Sequence, residues 1–258
     1  MPTAIWTGAI SFGLVHVPVR LVTAVQDAGP DFHLLDRETG QRIRHRTVNE
    51  SGDEVERDRI VKGYEASPEQ YLVVEDEELA QLTPERSQTI EIGGFVELGQ
   101  IDPIYYDRPY YLLPEEGARK PYKLLMAAME RAQKVGIAQF VLHGREHLTA
   151  LRPLNGVLCL VLMRFAEQVR PTQELGLDLD EIEMRDEELE VAIQLIDAMT
   201  EQFDPTQYRD EYLERVRELL KAKAEGEEYV APKPVEERVE VAGLVDALKK
   251  SLERVKSK

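Results

Sequence analysis

The run Ile5-Trp6-Thr7-Gly8-Ala9-Ile10-Ser11-Phe12-Gly13-Leu14-Val15-His16-Val17-Pro18-Val19-Arg20-Leu21 limits the fold more than any other part of this 258-residue chain. It is dense in β-branched and aromatic residues, with glycines at 8 and 13. It predicts two strands joined by a tight turn at Phe12-Gly13-Leu14. A strand pair this early has no earlier element to pair with, so it can seed a barrel. The same texture continues to about residue 116. Residues 32–35 lead into a turn at 36–40, and 41–48 read as a returning strand closed by the turn residues 49–53. Residues 70–74 make a short strand, and 75–82 a helical turn with acids at its N-terminal end. Residues 88–98 alternate apolar and polar, with Gly93-Gly94 marking a bulge. Residues 105–113 form a further strand, broken at Pro109.

A helix follows, with Tyr122, Leu125, Met126 and Met129 on one face and Gly136 placed to end it. Strands are expected at 137–142, 147–154 and 156–165, the last nearly all apolar and therefore central. Many short strands with regular turn signals favour a barrel over a sandwich or a doubly wound sheet. The expected class is α+β: an antiparallel β-barrel core with an inserted helix and a C-terminal helical arm. The arm holds a helix at 186–202 with Leu189, Ile193 and Ile196 on one stripe. Asp204 and Pro205 read as the cap and first residue of the next helix, whose stripe is Tyr208, Tyr212, Val216 and Leu219, with Gly226 ending it. Residues 1–180 are thus read as the barrel core, 181–226 as the arm, 227–240 as a charged, proline-containing linker, and 241–258 as a short amphipathic, basic tail helix.

The bulk numbers exclude several classes. No apolar run is long enough to cross a bilayer, and nothing at the N-terminus signals secretion. The lone Cys159 lies among apolar residues, which fits a buried thiol in a reducing cytoplasm. The net charge of −17 argues against a polyanion partner when taken alone. Its distribution is uneven: residues 1–170 hold 19 Lys+Arg against 25 Asp+Glu, and residues 171–258 hold 13 against 24. The acid excess therefore sits mostly in the C-terminal third, which leaves room for a cationic face in the first two thirds. There is no phosphate-binding glycine loop, zinc-protease helix, nucleophile elbow or cysteine ligand cluster. His143 and His147 have helical metal spacing but straddle a Gly-Arg turn with no third ligand nearby, so no metal and no cofactor are expected.

Several separated segments resemble bacterial Ku proteins, the DNA-end-binding factors of nonhomologous end joining. Besides the opening run they are Ile60-Val61-Lys62-Gly63-Tyr64-Glu65, Tyr105-Tyr106-Asp107-Arg108-Pro109-Tyr110-Tyr111-Leu112-Leu113-Pro114, Tyr122-Lys123-Leu124-Leu125, Leu154-Asn155-Gly156, and Phe203-Asp204-Pro205-Thr206-Gln207-Tyr208 with Asp210-Glu211-Tyr212. The stretch from Leu244 to Glu253 also fits. Together they run in family order over nearly the whole chain. The resemblance implies a homodimer whose barrels and bridging arms form a ring threaded by double-stranded DNA from an end. It implies no catalysis, and it implies recruitment and stimulation of a multifunctional ATP-dependent DNA ligase through the C-terminal region. The implied location is the cytoplasm, on the nucleoid at DNA breaks, with no membrane partner. Eukaryotic relatives carry an extra N-terminal von Willebrand-type domain, and none is expected here because the barrel motif starts at residue 4. Where many bacterial members have a long lysine-rich tail, this chain has Lys249, Lys250, Arg254, Lys256 and Lys258.

On a strand, Arg42, Arg44 and Arg46 would share one face at about 6.8 Å spacing, a ladder suited to phosphates. Without the resemblance they read more simply as a solvated face balanced by Glu38, Glu54 and Glu56. Arg20, Lys62, Arg108, Lys123 and Lys134 are further DNA-binding candidates, with Arg119 and Lys120 beside them. Tyr208, Tyr212, Val216 and Leu219 are assigned to the dimer interface, and Leu244, Val245, Leu248 and Leu252 to ligase recruitment. Amphipathicity alone equally allows that last helix to dock on the chain's own arm. Two other readings stay open: an acidic protein-interaction scaffold, and a metal-dependent nuclease built from scattered acids.

Overall fold

The computed structural model describes residues 2–82, 88–179, 182–229 and 244–256. Its contacts divide the chain into two units, residues 1–27 with 32–171 and residues 28–31 with 172–258.

The first unit is built on a closed barrel. In chain order it contains β1 (Trp6–Phe12), β2 (Val15–Thr23), β3 (Lys62–Ser67), β4 (Gln70–Val74), α1 (Asp76–Gln81), β5 (Thr89–Val96), β6 (Tyr106–Pro114), α2 (Arg119–Ala132), β7 (Val135–Leu142), β8 (Arg145–Leu154) and β9 (Val157–Met163). Seven strands close in the order β1-β2-β6-β9-β8-β7-β5. Six seams are antiparallel, and the seventh, between β1 and β5, is a short parallel one from Ala9↔Thr89 to Ser11↔Glu91. Full closure removes the open edges that a sheet of this size would expose.

The turns explain the register. Gly13 (φ 58) takes the positive φ of a two-residue β1–β2 loop. His143-Gly144 and Asn155-Gly156 both have positive φ at two successive positions, the primed geometry that matches strand twist in β7–β8 and β8–β9. Gly8 answers a different need: a Cβ there would meet the Trp6 ring and the Gln88 carbonyl at 2.3 Å. Trp6 in turn stands edge-on to Phe140, with centroids 5.4 Å apart.

Ile10, Val17, Val19, Leu21, Ile90, Leu112, Leu151, Leu158 and Leu160 fill the core, joined by Tyr122, Leu125 and Met129 from α2. The Tyr122 hydroxyl donates to the Leu112 carbonyl at 2.7 Å and accepts from the Leu158 N–H at 2.6 Å. One side chain thus pins α2 to the paired ends of β6 and β9. Burial pushes the Tyr122 hydroxyl pKa up, so it stays a neutral donor. Cys159 is buried, and burial raises its thiol above the ordinary range.

Three sequence expectations for this unit change, and one holds. Residues 41–48 are not a strand: they make two isolated bridges, Leu35↔Arg42 and Val48↔Glu54, each closing its own turn. Among the described residues no neighbouring strand lies alongside to complete a ladder there. β6 runs through Pro109 instead of breaking, by means of a register shift between Tyr106 and Pro109. α2 ends at Ala132, where Gln133 takes a left-handed conformation (φ 52), and Gly136 lies in β7 packed against Ile92 and Phe95. The Gly93-Gly94 bulge is present, between Ile92 and Gly94.

The second unit contains α3 (Asp186–Met199), α4 (Glu211–Glu225) and α5 (Leu244–Lys256). Asp204 and Pro205 open only a short 3₁₀ turn at Pro205–Gln207, and Asp210 caps α4 by accepting from the Leu213 N–H at 2.9 Å. Two capping signals compete within six residues, and the later one starts the helix. Gly226 (φ 77) ends α4 as expected. α5 packs against α3. Ala247, Leu248, Leu252 and Val255 are half-buried on α5, and Val191 is buried on α3. Lys249 Nζ meets Glu187 Oε1 at 2.9 Å across the pair, and that ammonium holds the Glu187 carboxyl below its usual range. Most of the linker read at 227–240, and Val241, lie outside the described residues.

Candidate nucleic-acid interface

The cations expected to bind phosphate stand in different electrostatic situations. Arg42 and Arg44 are exposed and form no ion pair with a described residue. With Phe32, His33, Leu34, Ile43 and His45 they line a surface groove of about 460 Å³. The structure therefore brings Arg42 and Arg44 together, through turn geometry instead of the expected strand face. Arg46 is drawn aside: its guanidinium meets Glu54 at 2.7 Å across the second bridge. The evenly spaced ladder of three arginines is replaced by a groove pair and one ion-paired neighbour.

Lys62 meets Asp76 at 2.7 Å, and Lys134 meets Glu97 at 3.1 Å. All three ion pairs are exposed, so each contributes little, about 0–1 kcal/mol, and a phosphate can exchange with the carboxylate. Arg108 and Lys123 are exposed without an ion pair among the described residues. Arg20 on β2 is half-buried, and its Nε has no hydrogen-bond partner among the described residues. Residues 32–62 carry seven Lys+Arg and seven Asp+Glu, so this exposed stretch is neutral within a chain of net charge −17.

Sequence reasoning did not single out four further residues. His33 and His45 share the Arg42–Arg44 groove. Arg145 lines a second groove with Lys62, Asp76 and His143. Arg164 donates from its guanidinium to the Tyr106 carbonyl on β6. Only folding brings these residues beside the chosen ones; alternation along 41–48 hides the turn that gathers His33.

In the second unit Tyr208 is not on α4; it closes the 3₁₀ turn and stacks on Phe203 with centroids 5.8 Å apart. Tyr208 and Tyr212 are exposed, whereas Val216 and Leu219 are half-buried beside Leu213. Leu248 and Leu252 lie on the half-buried face of α5; Leu244 and Val245 fall in its first turn, and their side chains lie outside the described residues. His143 occupies the β7–β8 turn, and His147 packs against Phe140 at 6.2 Å, where burial lowers its pKa. Among the described residues no group of three or more His, Cys, Asp or Glu could hold a metal ion, and no helix is long and apolar enough to cross a membrane.

Comparison with known proteins decides the family. The profile of the Ku70/Ku80 beta-barrel domain matches residues 11–191. The chain belongs to the Ku family. It is 41% identical to the Non-homologous end joining protein Ku of Pseudomonas aeruginosa over 98% of this chain and 88% of that protein. It is 41% identical to the Archaeoglobus fulgidus protein of the same name, over 98% of this chain and 99% of that protein, and 38% identical to that of Heliobacterium modesticaldum, over 98% and 92%. The Ku profile runs from the end of β1 through β9 and reaches into α3.

Proposed function

We propose that this Ku protein binds the ends of double-stranded DNA without regard to sequence, as a homodimeric ring threaded by the duplex, and acts in nonhomologous end joining without catalysing a reaction. The observation that carries this reading is the near-full-length identity to proteins named for end joining. The site chemistry supports it. Exposed arginines on turns suit phosphate contacts, which fix position without reading bases. The exposed stretch 32–62, with Arg42 and Arg44 on its groove, is assigned to the DNA-facing wall, together with Arg20, Arg108, Lys123 and the exchangeable Arg46, Lys62 and Lys134. The arm is assigned to dimerisation: Phe203, Tyr208 and Tyr212 present aromatic surface that a second copy would cover. The tail helix is assigned to recruiting a multifunctional ATP-dependent ligase, which would meet Leu248 and Leu252 either beside α3 or after α5 has left it. The protein is assigned to the cytoplasm, at breaks on the nucleoid.

The deciding experiment compares a linear duplex with a closed circle of identical sequence, with hydrodynamic mass measured on the same sample. The expected result is retention of the linear form by a dimer and exclusion of the circle. Equal binding to the circle would defeat threading, and a monomer would defeat the ring. Arg42→Glu with Arg44→Glu should weaken end binding at least tenfold, since two phosphate contacts turn repulsive, with dimer mass unchanged.

A further inference from the structure

β6 leaves its ladder with β9 between Tyr106 and Pro109, so Asp107 and Arg108 stand outside the regular register. Arg164, the residue after β9, holds this departure in place. Its N–H donates to the Tyr105 carbonyl at 2.8 Å. Its guanidinium donates to the Ile104 carbonyl at 3.1 Å and to the Tyr106 carbonyl at 2.5 Å. Nη2 reaches the Asp107 carboxylate at 3.4 Å. A single arginine thus engages each of the residues 104–107. Arg108 follows immediately, exposed and without an ion pair among the described residues, although a carboxylate precedes it in the chain.

We infer that Arg164 is a positioning residue for DNA binding: it occupies the Asp107 carboxylate, so that Arg108 meets phosphate as a free cation. A freed Asp107 would pair with Arg108 or repel the incoming phosphate. The planar guanidinium suits the task because its fork serves two carbonyls and a carboxylate at once, which a lysine ammonium on the same stem does not. The inference rests on the assignment of Arg108 to the DNA-facing wall, and the test separates the two.

Affinity of the full-length protein for a blunt linear duplex is measured between about 50 and 200 mM salt. Arg108→Gln should reduce the salt slope by about one and weaken binding about tenfold. Arg164→Gln should also lower the slope but weaken binding less, up to about fivefold, the worth of one exposed ion pair, and combining the two should cost no more than Arg108→Gln alone. Asp107→Asn added to Arg164→Gln should restore binding, because the competing carboxylate is gone. Arg164→Lys, the milder change to the packing, should fall short of the parent. A loss that Asp107→Asn does not repair would mean that Arg164 touches phosphate itself or serves only the fold, and would overturn the inference. So would an unchanged slope in Arg164→Gln and Arg164→Lys when Arg108→Gln lowers it. If Arg108→Gln changes nothing, the assignment of Arg108 fails, and the inference falls with it.

Discussion

At the scale of residues, Tyr122 shows how one side chain joins sequence to fold. Its ring fills the core, and its hydroxyl serves both the Leu112 carbonyl and the Leu158 N–H at the ends of two paired strands. The half of this visible in sequence is the helical apolar stripe that places Tyr122 inward. The hydrogen bonds are not visible, because both partners are backbone groups of strands far along the chain. Tyr122→Phe keeps the ring and leaves a buried donor and acceptor unmet, so it should lower stability by about 2–3 kcal/mol. A denaturant midpoint measured against the parent checks this, with the slope of the transition unchanged. Arg42, Arg44 and Arg46 give the opposite lesson. Their alternation suggested a strand, but alternation describes only a strand that has a neighbour to pair with. Residues 44–46 lie between two small turns, so the backbone follows the turns, and Arg46 finds Glu54.

Elements were most legible where turn chemistry is strict. Gly13, Gly144 and Asn155-Gly156 sit at loops needing positive φ, and the strands beside them fall within a few residues of the reading. The second unit was less legible, because its helices carry several adjacent capping residues and apolar faces whose covering depends on distant elements. α5 is the clearest instance: its stripe was compatible with a partner or with the chain's own arm, and here it meets α3. The Lys249–Glu187 pair is exposed, so the apolar face must supply most of that contact. Glu187 has a depressed folded-state pKa, so the pair's contribution is present above the ordinary carboxylate range and is lost as pH falls through the depressed value. Protection of the α5 amides from hydrogen exchange, corrected for intrinsic rates, should therefore decline slightly below about pH 4. Glu187→Gln should remove that pH dependence, whereas Leu248→Glu with Leu252→Glu should abolish the protection at every pH.

For the whole molecule, the difficulty is that a chain of net charge −17 is proposed to bind a polyanion. The distribution makes room for it: the acids concentrate beyond residue 170, and the exposed stretch 32–62 is neutral, with Arg42 and Arg44 in no ion pair with a described residue. Local phosphate contacts from so few cations give only a weak affinity, one that salt lowers further in proportion to the number of contacts. A closed ring changes the outcome, because a threaded protein leaves only by sliding off an end. This separates topology from affinity in one experiment. The protein is loaded on a linear duplex carrying biotin at both ends, streptavidin is added, and the sample is washed at about 1 M salt, where the screening length is about 3 Å. A ring should stay on the duplex when streptavidin follows loading and should fail to load when streptavidin precedes it. A protein that grips the outside of DNA through the Arg42–Arg44 groove would be washed away in both orders. Arg42→Glu with Arg44→Glu should slow loading yet leave whatever has loaded just as firmly trapped, since retention behind blocked ends depends on closure of the dimer and not on the charge of its inner wall.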